Sequence, residues 1–179
     1  MARQKPAWEP GSRYSYHAIT LGFYESELIR RVDPRHRTLG QFFQDEIAAP
    51  LGEEFYIRLP ENIPNARLAP LQPAARLKAL MGLPFRFALA VVYPPSHAYR
   101  AFAVNPGTLL PIDPQKVYAR NLEVPSGGGV GTARAMARAY GVFAAGGGEL
   151  GLKRETLEAL AAPAVPPSRG NFDICMRGE

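Results

Sequence analysis

Thr38-Leu-Gly-Gln-Phe-Phe-Gln-Asp-Glu-Ile-Ala-Ala-Pro-Leu-Gly52 is the most clearly patterned stretch of the chain. Thr38 is a preferred N-cap residue, and Pro50 cannot continue a helix, while Gly52 just beyond it is typical of a helix end. The apolar residues between them recur at helical spacing: Leu39, Phe42, Phe43 and Ile47. The stretch therefore predicts a helix that begins after Thr38 and ends at Pro50.

Helices are also predicted on both sides of this stretch. Residues 16–31 carry a wide apolar stripe, and the arginines of their last turn suit the negative end of the helix dipole before Asp33-Pro34. After the segment Pro125 to Gly131, Thr132 caps a helix that runs through Phe143 and ends at the glycines 146–148. Shorter helices are predicted at 74–83 and 153–161.

Extended structure is predicted only in short pieces. Phe55-Tyr-Ile-Arg-Leu59 has strand character, and prolines at 60, 64, 70 and 73 interrupt the region around and after it. Residues 84–118 are expected to form irregular connections with small helical or extended turns. The predicted fold class is mainly α with short irregular strands, without an internal repeat or a boundary between two complete domains.

Composition narrows the class of protein further. The chain has 179 residues, 46% of them hydrophobic and 21% charged, which is typical of a folded globular protein. The net charge is +5, and the single cysteine cannot form an internal disulfide. No apolar stretch is long enough to cross a bilayer, and the first residues lack the apolar core of a signal peptide. We expect a soluble protein without membrane contact, with a cytoplasmic location favoured.

Two segments have features of an anion-binding site. The glycines at 127–131 precede a helix, but they lack the Gly-Lys-Ser/Thr ending of a phosphate loop and the dinucleotide spacing, so a turn and helix cap is favoured over a phosphate site. The basic cluster comprises Arg30, Arg31, Arg35, His36 and Arg37. It could contact a polyanion, but a solvated helix end is favoured because no nucleic-acid module accompanies it. No nucleic-acid partner is expected.

Metal and thiol chemistry have little support in the sequence. The histidines at 17, 36 and 97 form no zinc-binding motif, and an ordinary thiol is favoured for Cys175 over a nucleophile. We therefore expect neither a metal nor a cofactor.

Three segments in order resemble the serine β-lactamase-related family, which includes class C β-lactamases, penicillin-binding carboxypeptidases and esterases. The first is Trp8-Glu-Pro-Gly-Ser-Arg-Tyr-Ser-Tyr16-His-Ala, with a Pro-Gly turn ahead of a tyrosine. The second is the stretch 38–52 with its Pro-Leu-Gly turn, and the third is Gly129-Val-Gly131-Thr-Ala-Arg-Ala-Met-Ala-Arg138. The resemblance implies that residues 1–179 are a partial β-lactamase-related domain. They would be the helical part of an α+β fold, with most of the sheet missing.

The resemblance also implies a role for Tyr16 as the proton relay of a complete active site. Ala18 stands where the family commonly has asparagine, and His17 lies between them. His17 could take part of the asparagine's role, but a helix-packing histidine is favoured.

The rest of the family's catalytic set is absent from this sequence. None of the serines at 12, 15, 26, 96, 126 and 168 has lysine three positions later, and neither Lys-Thr-Gly nor His-x-Gly occurs. The first hypothesis is a fragment of a serine β-lactamase-like hydrolase or esterase that is inactive alone. A complete protein would take a small acyl, ester or amide substrate. The alternative is a non-catalytic helical binding module derived from that fold. Apolar surface left uncovered by the missing sheet would allow self-association.

Overall fold

Helices dominate the part of the chain that the computed structural model describes, which comprises residues 3, 5–17, 20–70, 81–102, 120, 123–170 and 172–174. The predicted mainly α class is confirmed, because the strands described form one two-stranded sheet. None of the helices built from these residues is long and apolar enough to cross a membrane. The chain divides into two compact units. One comprises Met1–Leu21, Ala69–Gln115 and Val165–Glu179, and the other comprises Gly22–Leu68 and Lys116–Ala164.

Helix α1 spans Thr20–Val32, so the described helix begins later than the predicted start at Tyr16. A contact distant in sequence accounts for part of this difference, because Tyr14 forms a parallel β-bridge with Asp173 and the segment around it stays extended. Gly22 lies on the buried side of α1, where a Cβ atom would come within 2.6 Å of the backbone nitrogen of Ser126. A glycine is therefore needed at this close approach.

The second predicted helix forms, but its later turns are wider than predicted. Helix α2 covers Leu39–Phe43, and a π-helical segment, Gln44–Ala48, continues it. Thr38 caps α2 in a reciprocal capping box with Gln41. Gly52, with φ +66°, follows the last turn in a left-handed conformation that suits a helix end.

The two strands are shorter than the sequence predicts. Strand β1 is Phe55–Tyr56 instead of 55–59, and it pairs antiparallel with β2, Val130–Gly131. The Phe55 ring lies against Gly129 and Gly131, so a side chain at Gly131 would overlap the ring. The glycines of this segment thus allow a close approach of β2 to β1.

The helices after β2 agree closely with the prediction. Helix α5 spans Ala133–Ala144 with Thr132 as its N-cap, and helix α6 spans Arg154–Ala161. A short 3-10 turn, Gly148–Leu150, lies between them. Gly146 and Gly147 have positive φ angles and end α5, as their sequence position indicates.

Residues 84–118 contain longer helices than the irregular turns that were predicted. Helix α3 spans Phe85–Val92 and helix α4 spans His97–Phe102, while 103–118 lie outside the described residues. Pro84 and the Pro94-Pro95 pair flank α3 without interrupting it. The two helices bury a shared cluster of small and aromatic side chains: Phe87, Ala90, Ala98 and Ala101. This packing stabilises α3 and α4, although the prolines of the region predict irregular structure. The predicted helix 74–83 falls mostly outside the described residues.

Candidate functional site

The segment that leads to Tyr16 is held by backbone hydrogen bonds from the far end of the chain. The N–H groups of Ser168, Arg169 and Ile174 donate to the carbonyls of Gly11, Ser12 and Tyr14, respectively. The N···O distances are 3.0, 3.0 and 3.4 Å. Tyr16 therefore follows a stretch whose backbone is fixed by residues more than 150 positions away.

The turn before Tyr16 is also well supported. Gly11 has φ +79°, a conformation that side-chain-bearing residues rarely adopt. The buried Ser12 hydroxyl donates to the carbonyl of Glu9 at 2.6 Å, and Trp8 donates from its indole nitrogen to the carbonyl of Arg13 at 3.0 Å. Both hydrogen bonds therefore span the Pro-Gly turn at residues 10–11 that the sequence predicts.

Tyr16 itself is 51% exposed and lies between this anchored segment and the start of α1. A phenol in such a position can exchange a proton with a bound molecule. His17 places its Nδ1 atom 2.6 Å from the Thr20 hydroxyl, so this ring bonds locally at the start of α1. Ala18, at the family's asparagine position, lies outside the described residues.

Several serine hydroxyls are already used in the local structure. Ser12 and Ser96 donate to backbone carbonyls, and Ser26 accepts from the N–H of Leu39. Ser96 also accepts from the N–H of Tyr99 at the start of α4. These three hydroxyls have structural partners, and in the sequence none of the six serines has a lysine three positions later.

Acidic side chains neutralise much of the basic cluster. The buried Arg37 donates to both carboxylate oxygens of Asp33 at 2.8 and 2.9 Å, and it also reaches Asp45 and Glu46 at 3.0 and 2.7 Å. The Arg37 side chain and N–H hold the pKa of Asp33 well below its usual value. Arg37 is therefore an internal ion-pair centre.

The exposed arginines of the cluster are paired as well. Arg30 and Arg31 both donate to Glu27, at 2.8 Å from their Nε atoms, and Arg35 lies 3.2 Å from Asp45. Hydrogen bonds from the two arginines lower the pKa of Glu27 from 4.5 to about 2. His36 directs its Nδ1 atom at the carbonyl of Arg30, 2.9 Å away. The arrangement offers less net positive charge to a polyanion than the sequence alone suggests.

Glu123 is an important polar residue that the sequence analysis did not identify. Its carboxylate accepts from the Thr38 hydroxyl at 2.8 Å and from the Gly40 N–H at 3.0 Å, which ties it to the start of α2. A Cβ atom at position 40 would lie 2.6 Å from that carboxylate. No local pattern could predict this contact, because the partners are more than 80 positions apart.

The Gly-rich segment at 127–131 forms a turn ahead of a capped helix, as the sequence analysis predicts. The N–H groups of Gly127 and Gly128 both donate to the carbonyl of Val124, at 3.1 and 2.7 Å, and form a turn. Thr132 then accepts from the Ala135 N–H at the start of α5. Turn, strand and cap follow one another here.

The three histidines have different neighbours. His97 packs edge-on against Trp8 at 5.2 Å between ring centroids, whereas His17 and His36 make the local bonds given above. Among the described residues, no group of three or more His, Cys, Asp or Glu side chains is arranged to hold a metal ion. Cys175 lies outside the described residues.

An apolar groove of about 860 Å³ is open in the unit that contains α2, α5 and α6. Its wall combines aromatic and small side chains from the π-helical segment, β1 and the two later helices. Representative lining residues are Phe43, Phe55, Ala135, Met136, Tyr140 and Leu157. The sequence analysis predicted uncovered apolar surface in general terms but did not locate this groove.

Comparison with known protein families identifies the class. The model of the family described as Beta-lactamase matches residues 1–174, which is nearly the whole chain. This chain therefore belongs to the β-lactamase family, as its three sequence segments indicate.

A relative in Mycobacterium tuberculosis is named esterase/beta-lactamase LipL. It is 30% identical to this chain over 141 residues, and the match covers 74% of this chain and 30% of the relative. The chain thus spans under a third of the length of the relative it matches. No solved structure gives a significant match.

Proposed function

We propose that this chain is the tyrosine-bearing helical part of a serine β-lactamase-like hydrolase or esterase and performs no acyl transfer by itself. The main support is the family match over residues 1–174. The finer claim of inactivity rests on the sequence, where no serine is followed by lysine at the required spacing.

The absence of a serine with a lysine three positions later has a chemical consequence. A serine hydroxyl is a weak nucleophile at neutral pH, and it needs a positioned base to remove its proton during attack. Backbone N–H groups must also stabilise the negative charge that develops on the substrate carbonyl. Ser12, Ser26 and Ser96 are bonded to backbone groups, so these three hydroxyls serve the local structure, and none of them has a lysine that could act as the base.

Tyr16 is the residue that we assign to the chemistry of a complete site. Its side chain is half-exposed, and its backbone follows the anchored segment 11–14. In a site that supplies serine and lysine, the phenol would pass a proton to the leaving group of a small ester or amide. The proposed substrates are therefore small acyl compounds, with no nucleic acid and no membrane required.

The first test is a reaction of the purified chain with acylating probes. We expect no hydrolysis of a chromogenic β-lactam or a short p-nitrophenyl ester, and no mass increase with a fluorescent penicillin or a fluorophosphonate. An active class C β-lactamase, treated in parallel, is the positive control. Intact-mass spectrometry gives the stoichiometry, and peptide mapping would locate any adduct. Stoichiometric labelling at any serine would refute the proposal.

The alternative is a non-catalytic helical binding module derived from the same fold, and the open apolar groove is the observation that favours it. The two readings differ in what Tyr16 does. The hydrolase reading requires that Tyr16 support turnover when the missing groups are supplied, whereas a binding module requires no phenol at this position.

A further inference from the structure

A polar cleft of about 590 Å³ lies in the same compact unit as the apolar groove and shares no lining residue with it. Phe55 of β1 lines the groove, whereas the next residue, Tyr56, lines the cleft, because neighbouring side chains of a strand point to opposite faces. Phe43 at the end of α2 lines the groove, and Gln44 after it lines the cleft. The cleft is therefore a separate cavity with its own walls.

Charged side chains dominate the cleft. Four arginines and three carboxylates line it, which gives a net charge of +1. Two of the carboxylates have partners within the fold. Asp45 lies 3.2 Å from Arg35 and 3.0 Å from Arg37, and Glu123 accepts the two hydrogen bonds at the start of α2 described above. These contacts also occupy two of the four arginines.

The other two arginines of the cleft are Arg58 and Arg120, and neither forms an ion pair with a described carboxylate. Arg120 is half-buried and donates to the carbonyls of Pro60 and Ile63 and to the side-chain oxygen of Asn65. All three acceptors are neutral, so they fix the guanidinium in place without pairing its charge. Arg58 is exposed and makes no side-chain bond to a described residue.

We propose that this cleft binds a small organic carboxylate through Arg58 and Arg120. The planar guanidinium fork matches the geometry of a carboxylate, and charge-assisted hydrogen bonds of this type are strong. The net charge of +1 suits a ligand with one negative charge. A dianion would meet stronger repulsion from Asp45, Glu61 and Glu123, which line the same cleft. This inference goes beyond the hydrolase proposal and does not depend on it.

Apolar atoms beside these charges favour a carboxylate attached to a ring or a short chain. The half-buried side chains of Tyr56 and Pro60 line the cleft together with the arginines. The cleft volume lies within the range of about 300 to 1,000 Å³ that is typical of small-molecule sites. Benzoate is therefore the probe, and acetate and inorganic phosphate are the comparisons.

Ligand-observed NMR titration of the 179-residue chain with benzoate tests the proposal. At constant ionic strength, we expect saturable binding with a Kd below that of acetate and of phosphate. Arg58→Gln should raise the benzoate Kd at least about tenfold, because it removes a charge-assisted bond to the ligand and none that the fold uses. Arg134→Gln is the matched control, since it changes an exposed arginine of α5 that lines neither cavity. Its Kd should stay within about twofold of the wild type.

Two further variants complete the test. Glu61→Gln removes an exposed negative charge from the cleft and should lower the benzoate Kd. Arg120→Gln should raise it at least about tenfold. Because Arg120 also bonds to the segment 60–65, far-UV circular dichroism checks the fold of this variant, and the Arg58 and Glu61 variants decide the outcome if it unfolds.

Three results would overturn the proposal. The first is the absence of saturable benzoate binding, and the second is a lower Kd for phosphate than for benzoate. The third is an equal effect of Arg58→Gln and Arg134→Gln, which would indicate attraction to the net charge of the chain and no binding in the cleft. Weaker binding by Glu61→Gln would also contradict it, because that carboxylate would then attract the ligand.

Discussion

At the scale of single residues, Arg37 and Asp33 form the best-defined electrostatic contact in the described chain. Both side chains are buried, and two side-chain bonds and one backbone bond join Arg37 to the Asp33 carboxylate. The spacing of four positions was visible in the sequence, but the burial was not. The sequence analysis favoured a solvated helix end for the whole basic cluster, whereas in the structure Arg37 is buried and Arg30, Arg31 and Arg35 stay exposed.

This ion pair predicts a specific acid sensitivity. The pKa of Asp33 lies below its ordinary value of 3.8 in the folded chain, so the unfolded chain binds the proton first as the pH falls. The stabilisation from Asp33 is complete above the ordinary pKa and is lost as the pH falls through the folded one. Asp33→Asn should therefore lower stability near neutral pH and flatten its decline below about pH 4.

Urea unfolding followed by circular dichroism at a series of pH values measures this effect. Glu25→Gln is the control, because Glu25 is exposed and forms no ion pair with a described residue. Its profile should run parallel to that of the wild type. Parallel profiles for Asp33→Asn and the wild type would show that the buried pair contributes nothing to the acid response.

For Tyr16, some features could be predicted from the sequence and others could not. Its place after a Pro-Gly turn was evident in the sequence, and its exposure fits a phenol that meets a ligand. The backbone bonds that tie the preceding segment 11–14 to Ser168, Arg169 and Ile174 could not be predicted, because such pairing depends on the approach of two distant segments. The turn before Tyr16 was therefore predictable from sequence and its anchoring was not, while the catalytic role of Tyr16 stays a prediction.

At the scale of elements, helices with strong end signals were predicted best. The helices that begin after Thr38 and Thr132 both start with a threonine that accepts a backbone N–H. Helix α3 was missed because the prolines around it suggested irregular structure, whereas its burial against α4 stabilises it. Local end signals therefore predict the helices after Thr38 and Thr132, whereas α3 depends on its packing against α4.

The two threonine caps should differ in strength. Thr132 makes one capping bond, whereas Thr38 makes a capping bond with Gln41 and also donates to Glu123. Thr132→Ala should cost about 1 kcal/mol and Thr38→Ala about 2 kcal/mol, since the second change removes a bond to a charged group as well.

Both values come from urea midpoints of the same chain. Thr38→Ser keeps the hydroxyl and should recover most of the loss at that position. Equal losses at the two positions, or a larger loss for Thr132→Ala, would show that the bond to Glu123 adds no stability.

At the scale of the whole molecule, the family and the fold class were accessible from sequence. Three ordered segments indicated the family, and the match over residues 1–174 establishes it. The arrangement of the chain as one partial domain stays a prediction, and the described chain forms two compact units. The groove between α2, α5 and α6 could not be predicted from the sequence, because it depends on how closely the side chains of these helices pack in three dimensions.

The proposed role of Tyr16 can be tested within a longer relative. The relative named esterase/beta-lactamase LipL is more than three times as long as the segment that this chain matches. A chimera in which residues 1–174 replace the corresponding segment of that relative places Tyr16 in a longer protein of the same family. Tyr14, also exposed and two positions earlier, supplies a matched control in the same segment.

The measurement that we would make first is kcat for ester hydrolysis by this chimera and by its Tyr16→Phe and Tyr14→Phe variants. If Tyr16 relays a proton, Tyr16→Phe should lower kcat at least about 100-fold, while Tyr14→Phe should stay within about twofold of the parent chimera. Circular dichroism confirms equal folding of the three proteins. Equal kcat values for the two variants, or a folded chimera that hydrolyses no ester, would contradict the assignment of this chain as the tyrosine-bearing part of a serine hydrolase.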